Sequence, residues 1–214
     1  MTDSEPTDLD ARALIELYFE SDDDDERDVL LGKLEAMDLP VVTEFFRAAA
    51  TEDDDELIQV RALAVLARRG DAEATEALRQ IAHDPDDMLV FEEALRGMAT
   101  VFGTPYFETL VDIWRGEHSP DERRVAMVVM ESLDAPRTLQ LYHETIATLG
   151  DAAKFPDDQV EAMMLAFVRH EDYAALPLLG AMLERLTASS AGMDEDERDE
   201  LLGMVREGID LLRE

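Results

Sequence analysis

The stretch from Gln59 to Asp87, QVRALAVLARRGDAEATEALRQIAHDPDD, constrains the fold more than any other part of the chain. It reads as two short amphipathic helices hinged at Gly70-Asp71 and closed by Asp84-Pro85. The second carries Ala74, Ala77, Leu78, Ile81 and Ala82 on one face, at the i, i+3, i+4, i+7 spacing of a helix. A single hairpin of this length cannot bury its own apolar faces, so the unit requires neighbours built on the same plan.

Those neighbours are legible in both directions. Val42, Phe45, Phe46 and Ala49 repeat the helical spacing, as do Phe107, Leu110, Val111 and Trp114. Val160, Met163, Met164, Phe167 and Val168 follow it again, then Leu179, Met182, Leu183 and Leu186. Strand alternation fits nowhere comparably well. Pro40, Pro85, Pro105, Pro120, Pro136 and Pro156 punctuate the series where helices should begin, since proline in the first turn gives up an N–H that has no helical partner. Ser119-Pro120-Asp121-Glu122 is a capping box, and Asp194 with Glu197 repeats the logic.

The spacing predicts an all-α chain: a helix near 7–20, then pairs near 26–37 with 40–50, 56–69 with 72–83, and 88–102 with 104–116. Two further pairs follow near 120–133 with 136–149 and 156–169 with 172–187, and a closing helix near 195–213. Five hairpins at intervals of about thirty residues make a repeat array. One domain over 1–214 is expected, with an N-terminal helix within 1–20, repeats over 26–188 and a C-terminal helix within 193–214.

Val60-Arg61-Ala62-Leu63-Ala64, Leu66, Gly70-Asp71-Ala72-Glu73-Ala74, Leu78 and the Asp84-Pro85-Asp86 turn resemble bacterial and archaeal HEAT-like repeats. In those repeats a VR-xx-A first helix precedes a G-D-xx-A turn and a second helix. His170 to Leu179 resembles the same turn and second helix, so the likeness is clearest over 59–87 and 156–187. In the third pair Phe91-Glu92 stands where Val-Arg is expected. The resemblance implies a right-handed α-solenoid of about five hairpins, with a flanking helix at each end and second helices lining a concave binding face. It implies no activity: most such proteins are scaffolds or adaptors, although DNA-base glycosylases and bilin-attaching lyases share the plan.

Composition narrows the chemistry. Cysteine is absent, which removes disulfides, thiolate metal sites and thiol nucleophiles. The 52 acidic residues against 19 lysines and arginines give a net charge of −33, which repels phosphate backbones and argues against nucleic acid. Two causes of that acidity stand side by side: a surface adapted to high salt, or a surface that binds basic partners. No apolar run approaches the ~20 residues of a membrane span, and the N-terminus MTDSEPTDLD is acidic, so no membrane association and a cytoplasmic location are expected.

Catalytic and metal motifs are missing. His143-Glu144 matches half of a zinc HExxH motif, but Ala147 occupies the second ligand position. An EF-hand loop begun at Asp22 would place Arg27 where glycine is needed and Lys33 where a bidentate glutamate is needed. His83 and His170 suit helix ends, and His118 precedes the Ser119 cap. No catalytic residue, cofactor or metal is therefore expected. The acidic pairs needed for acid–base chemistry cannot be picked from 52 carboxylates without geometry.

Interfaces favour aromatic and arginine anchors, which makes Tyr106, Tyr142, Arg79, Arg115 and Arg137 the candidate partner-binding residues. Trp114 sits on an apolar stripe and is expected in the core. The functional expectation is a non-enzymatic scaffold or adaptor that binds a protein on its concave face. The alternatives are an enzyme or enzyme subunit on such a scaffold, of lyase type or a cofactor chaperone, and an acidic surface that sequesters a basic protein.

Overall fold

The hydrophobic period of the chain is realised as helix across the described residues. The structure, a computed structural model, describes residues 7–83, 87–148, 157–188 and 195–213. Among these residues it is all-α, with twelve α-helices and two 310 turns. The expected turn at Asp84-Pro85-Asp86, the helix openings at Pro85 and Pro156, and the Asp194 cap lie outside the described residues.

The helices are α1 (Asp8–Glu20), α2 (Asp24–Glu35), α3 (Pro40–Glu52), α4 (Glu56–Arg68), α5 (Ala72–His83) and α6 (Met88–Phe102). They continue as α7 (Phe107–Arg115), α8 (Pro120–Leu133), α9 (Ala135–Thr148), α10 (Asp157–Arg169), α11 (Leu176–Ala188) and α12 (Glu195–Leu211). Most bounds fall within two residues of the sequence reading. The openings of α7 and α11 differ, because Thr104–Tyr106 and Tyr173–Ala175 form 310 turns before the α-helix is established.

Local chemistry accounts for the starts and stops. Asp23, Asp55, Asp71, Asp87 and Asp134 each accept a backbone N–H from the first turn of the helix that follows. The acidic runs between helices therefore supply N-caps. Thr7 and Asp10 form a capping box on α1, and Ser119 with Glu122 forms the expected one on α8. Gly70 takes φ +91° after α4, a region open to glycine, and the Asp71 N–H closes the turn onto the Leu66 carbonyl.

A structural period emerges from these caps. α2, α4, α6 and α8 begin at Asp24, Glu56, Met88 and Pro120, each 32 residues after the last. By that register Glu93, not Glu92, occupies the position of Arg61 on the next first helix.

The helices pack as two compact units, Met1–Phe102 and Gly103–Glu214. The division falls inside the predicted pairing of 88–102 with 104–116, at a glycine with φ +61°. In the first unit α4 is central and packs on α3, α5 and α6, while α1 covers α2 and α3. Phe46, Leu78, Phe91 and Leu95 are fully buried there. In the second unit α8 packs on α7, α9 and α10, and α12 covers α10 and α11; Trp114, Tyr142 and Phe167 are buried in its core.

Hairpin pairing is uneven. α4 with α5 and α8 with α9 pack as the sequence suggests, but α3 lies principally against α4 rather than α2. No helix among the described residues is long and apolar enough to cross a membrane.

Candidate functional site

The five residues expected to bind a partner are buried or engaged within their own units. Tyr106 and Tyr142, two of the candidate anchors, are buried at 8% and 1% exposure. The face of α9 that carries Tyr142 is the one turned to the core: its ring packs edge-on to Trp114 at 5.7 Å and to Phe167 at 6.3 Å. Burial, and secondarily the nearby Glu131 charge, drive the Tyr142 hydroxyl far above its ordinary pKa. Trp114 lies in the core, with its indole N–H unpaired.

The three arginines are engaged within the chain. Arg79 pairs with Glu76 one turn earlier on α5. Arg115 lies over the Trp114 ring at 5.3 Å, and Arg137 stacks on Phe107 at 4.1 Å while pairing with Glu108. Such contacts offset the chain's own acidity and cover aromatic faces.

Two cavities carry more chemistry. The second unit holds one of about 140 Å³ lined by Tyr142, Arg124, Glu131, Glu161 and Arg169. Its least exposed acid is already engaged, because Glu131 accepts from Arg169 Nη1 at 2.6 Å and pairs with His170 Nε2 at 2.8 Å. Nearby, His143 Nε2 meets Asp172 Oδ2 at 2.7 Å, which ties α9 to the turn before α11. Among the described residues no three histidine or acidic side chains converge to hold a metal ion.

The first unit holds a larger cavity of about 250 Å³, formed by α1, α2, α4 and α6. It lies among first helices, whereas the sequence directs attention to second helices. Leu31, Leu57 and Ile58 give it apolar walls, and Leu57 remains 38% exposed. Tyr18, Arg27, Asp28, Asp55, Arg61 and Glu93 supply its polar groups.

Nearly all of these polar groups are matched. Arg27 Nη2 donates to Tyr18 Oη at 2.9 Å, and its guanidinium lies 4.7 Å from the Tyr18 ring centre. Tyr18 Oη donates in turn to Asp53 at 3.4 Å. Burial raises the Tyr18 hydroxyl pKa, opposed by the Arg27 bond and assisted by the Asp53 charge. Arg61 bridges from α4 to two positions on one face of α2, with Nε on Glu35 at 2.5 Å and Nη1 on Asp28. Burial works against the Arg61 charge, but these two bonds outweigh it and hold the guanidinium protonated.

Glu93 is the exception. It reaches the cavity from α6, half-buried, and no hydrogen bond contributes to its titration. Burial raises its carboxyl above the ordinary range; the Arg61 and Arg96 charges oppose that rise, and those of Glu35 and Glu92 add to it. Arg61 is occupied by its α2 partners and Arg96 by Glu92, so neither closes on Glu93. A desolvated, unmatched carboxyl in a concavity is the kind of feature that marks functional sites.

Sequence reading missed Glu93 because 52 carboxylates offer no contrast. The available signal was the 32-residue period, which gives Glu93 the register position that Arg61, the residue pinning α2 to α4, holds one unit earlier. No protein-family model matches this chain, and comparison with curated proteins and with solved structures finds no significant match.

Proposed function

We propose that this chain is a HEAT-like helical-repeat protein that binds a protein partner and catalyses no reaction itself. The carrying observation is the 32-residue recurrence of first-helix starts at Asp24, Glu56, Met88 and Pro120, combined with an exposed cavity lined by the first three of these helices and α1. The Val-Arg and Gly-Asp signatures of 59–87 fall at the register positions where a HEAT-like hairpin carries them.

The cavity's size favours a macromolecular partner. At about 250 Å³ it lies below the ~300–1,000 Å³ usual for small-molecule sites. One side chain with an apolar stem fills such a space, and the surrounding helix faces supply the remaining contact.

An enzymatic reading draws on Glu93, since a carboxyl with a raised pKa suits acid–base work. It lacks a second group: Asp28 is held by Arg61, and Asp55 caps α4.

Affinity capture at native salt tests the adaptor reading, with wild type beside Leu57→Arg. A partner retained by wild type and lost by the variant is the expected outcome. Recovery of no specific partner by wild type, or turnover of a small substrate without any partner, overturns it.

A further inference from the structure

We infer that the cavity between α1, α2, α4 and α6 receives a lysine or arginine side chain from a basic protein partner, with Glu93 as the carboxylate that meets the cation. The inference rests on the protein-binding reading above and adds the chemistry of the residue recognised.

The geometry selects a cation with an apolar stem. Leu31, Leu57 and Ile58 line the walls, as a four-carbon lysine stem or a three-carbon arginine stem requires. Among the polar lining groups Glu93 is the carboxyl that carries no hydrogen bond, while the other charged groups around it are engaged. A half-buried carboxylate without a partner is costly to hold, and an incoming cation recovers that cost through a charge-assisted hydrogen bond.

Alternative occupants fit worse. An anion would meet the carboxylates of Glu93, Asp28 and Asp55 at the lining, and the two arginines there are bound to Tyr18, Asp28 and Glu35. An apolar side chain would seal Glu93 from water without giving it a donor. The net charge of −33 draws basic partners at long range, and the cavity supplies the short-range selection that charge alone lacks.

The test uses three blocked pentapeptides, Gly-Gly-X-Gly-Gly with lysine, arginine or norleucine at X, titrated into the full chain and followed by amide NMR shifts. Saturable shifts at Leu57 and Ile58 with the lysine or arginine peptide, and none with norleucine, are expected. Glu93→Gln should weaken that binding at least tenfold. Glu73→Gln, which removes one exposed acid from α5, should weaken it less than twofold. Equal losses in the two variants would reduce the effect to bulk charge and overturn the inference. Norleucine binding as tightly as lysine would overturn it without recourse to any variant. Peptide entry without capture of a partner ends the adaptor reading and leaves the pocket standing; capture unaffected by Glu93→Gln, with no peptide shifts, ends only the pocket.

Discussion

Gly97 on α6 rests directly against Ala64 on α4: a Cβ placed on the glycine would lie 2.8 Å from the Ala64 Cβ and 3.4 Å from Leu78 Cδ1. The close approach of these two first helices depends on that missing methyl group.

Gly97→Ala should therefore destabilise the first unit despite the better helix propensity of alanine. The propensity gain is about 1 kcal/mol, and forcing a methyl into a packed contact costs about 1–3 kcal/mol. A net loss of about 1 kcal/mol is expected in urea unfolding. Gly203, on α12, has open space where its Cβ would stand. Gly203→Ala should then stabilise by about 0.5–1 kcal/mol. Two changes of the same sign would refute the close-packing account of Gly97.

Arg61 pins α2 to α4 through Glu35 and Asp28 with its side chain 27% exposed. Lysine at this position offers a single point charge and cannot reach both acids in fork geometry. Arg61→Lys should cost about 1–2 kcal/mol. A double-mutant cycle between Arg61→Met and Glu35→Gln should return a coupling of about 1 kcal/mol. A coupling near zero would mean that the Glu35 pair does not help hold α2, which would leave Asp28 and apolar contact.

The sequence carried the secondary structure well for a physical reason: its helix starts are written in short-range chemistry. Pro40, Pro120 and Ser119 act within one turn of themselves, so their meaning survives without tertiary information. Tyr142 shows where that legibility ends. Its position fits an apolar stripe and an exposed hydroxyl equally well, and only the approach of Trp114 and Phe167 decides between them. Glu93 is a stronger case, because its character comes from what surrounds it: burial, occupied arginines and no donor. The packing of α3 on α4 rather than α2 was likewise set by stripe-to-stripe fit across the unit, which adjacency in sequence does not reveal.

Ser119→Ala should cost about 1 kcal/mol, since the hydroxyl accepts the Glu122 N–H at 3.2 Å while the Glu122 carboxylate accepts the Ser119 N–H at 2.7 Å. The side-chain bond to Ser119 is the first cause that holds the Glu122 carboxyl below the usual 4.5. A lowered carboxyl pKa means that the unfolded chain binds the proton more readily, so the cap's stabilisation is present above pH 4.5 and fades as pH falls through the lowered value. Thermal unfolding from pH 6 to pH 3 should show the Ser119→Ala penalty shrinking over that window.

With 52 acids and 19 lysines and arginines, repulsion across the surface should be visible in salt. The Debye length falls from about 30 Å at 0.01 M to about 3 Å at 1 M. Sodium chloride should therefore raise the thermal midpoint followed by helical circular dichroism. A midpoint unchanged between those salt concentrations would remove salt adaptation as the cause of the acidity.

Glu93 should destabilise the folded chain at neutral pH, and the sign follows from its burial. Its carboxyl pKa lies above the ordinary 4.5, so the folded state binds the proton more readily than the unfolded one. Stability then falls as pH rises from that ordinary value through the raised one. Arg61 and Arg96 reduce the penalty, whereas Glu35 and Glu92 enlarge it, and Tyr18 stays neutral across this range. Glu93→Gln removes the ionised form without changing the side-chain shape, so it should raise the thermal midpoint at pH 7. A gain of about 1 kcal/mol would correspond to roughly 2–4 °C in a chain of this size. The gain should vanish near pH 4, where the wild-type carboxyl is protonated in both states. A saturating lysine pentapeptide should reverse the ranking at pH 7, because only the wild-type carboxylate has a charge to pair. A variant less stable than wild type at pH 7 without peptide would show that Glu93 already has a partner within the fold.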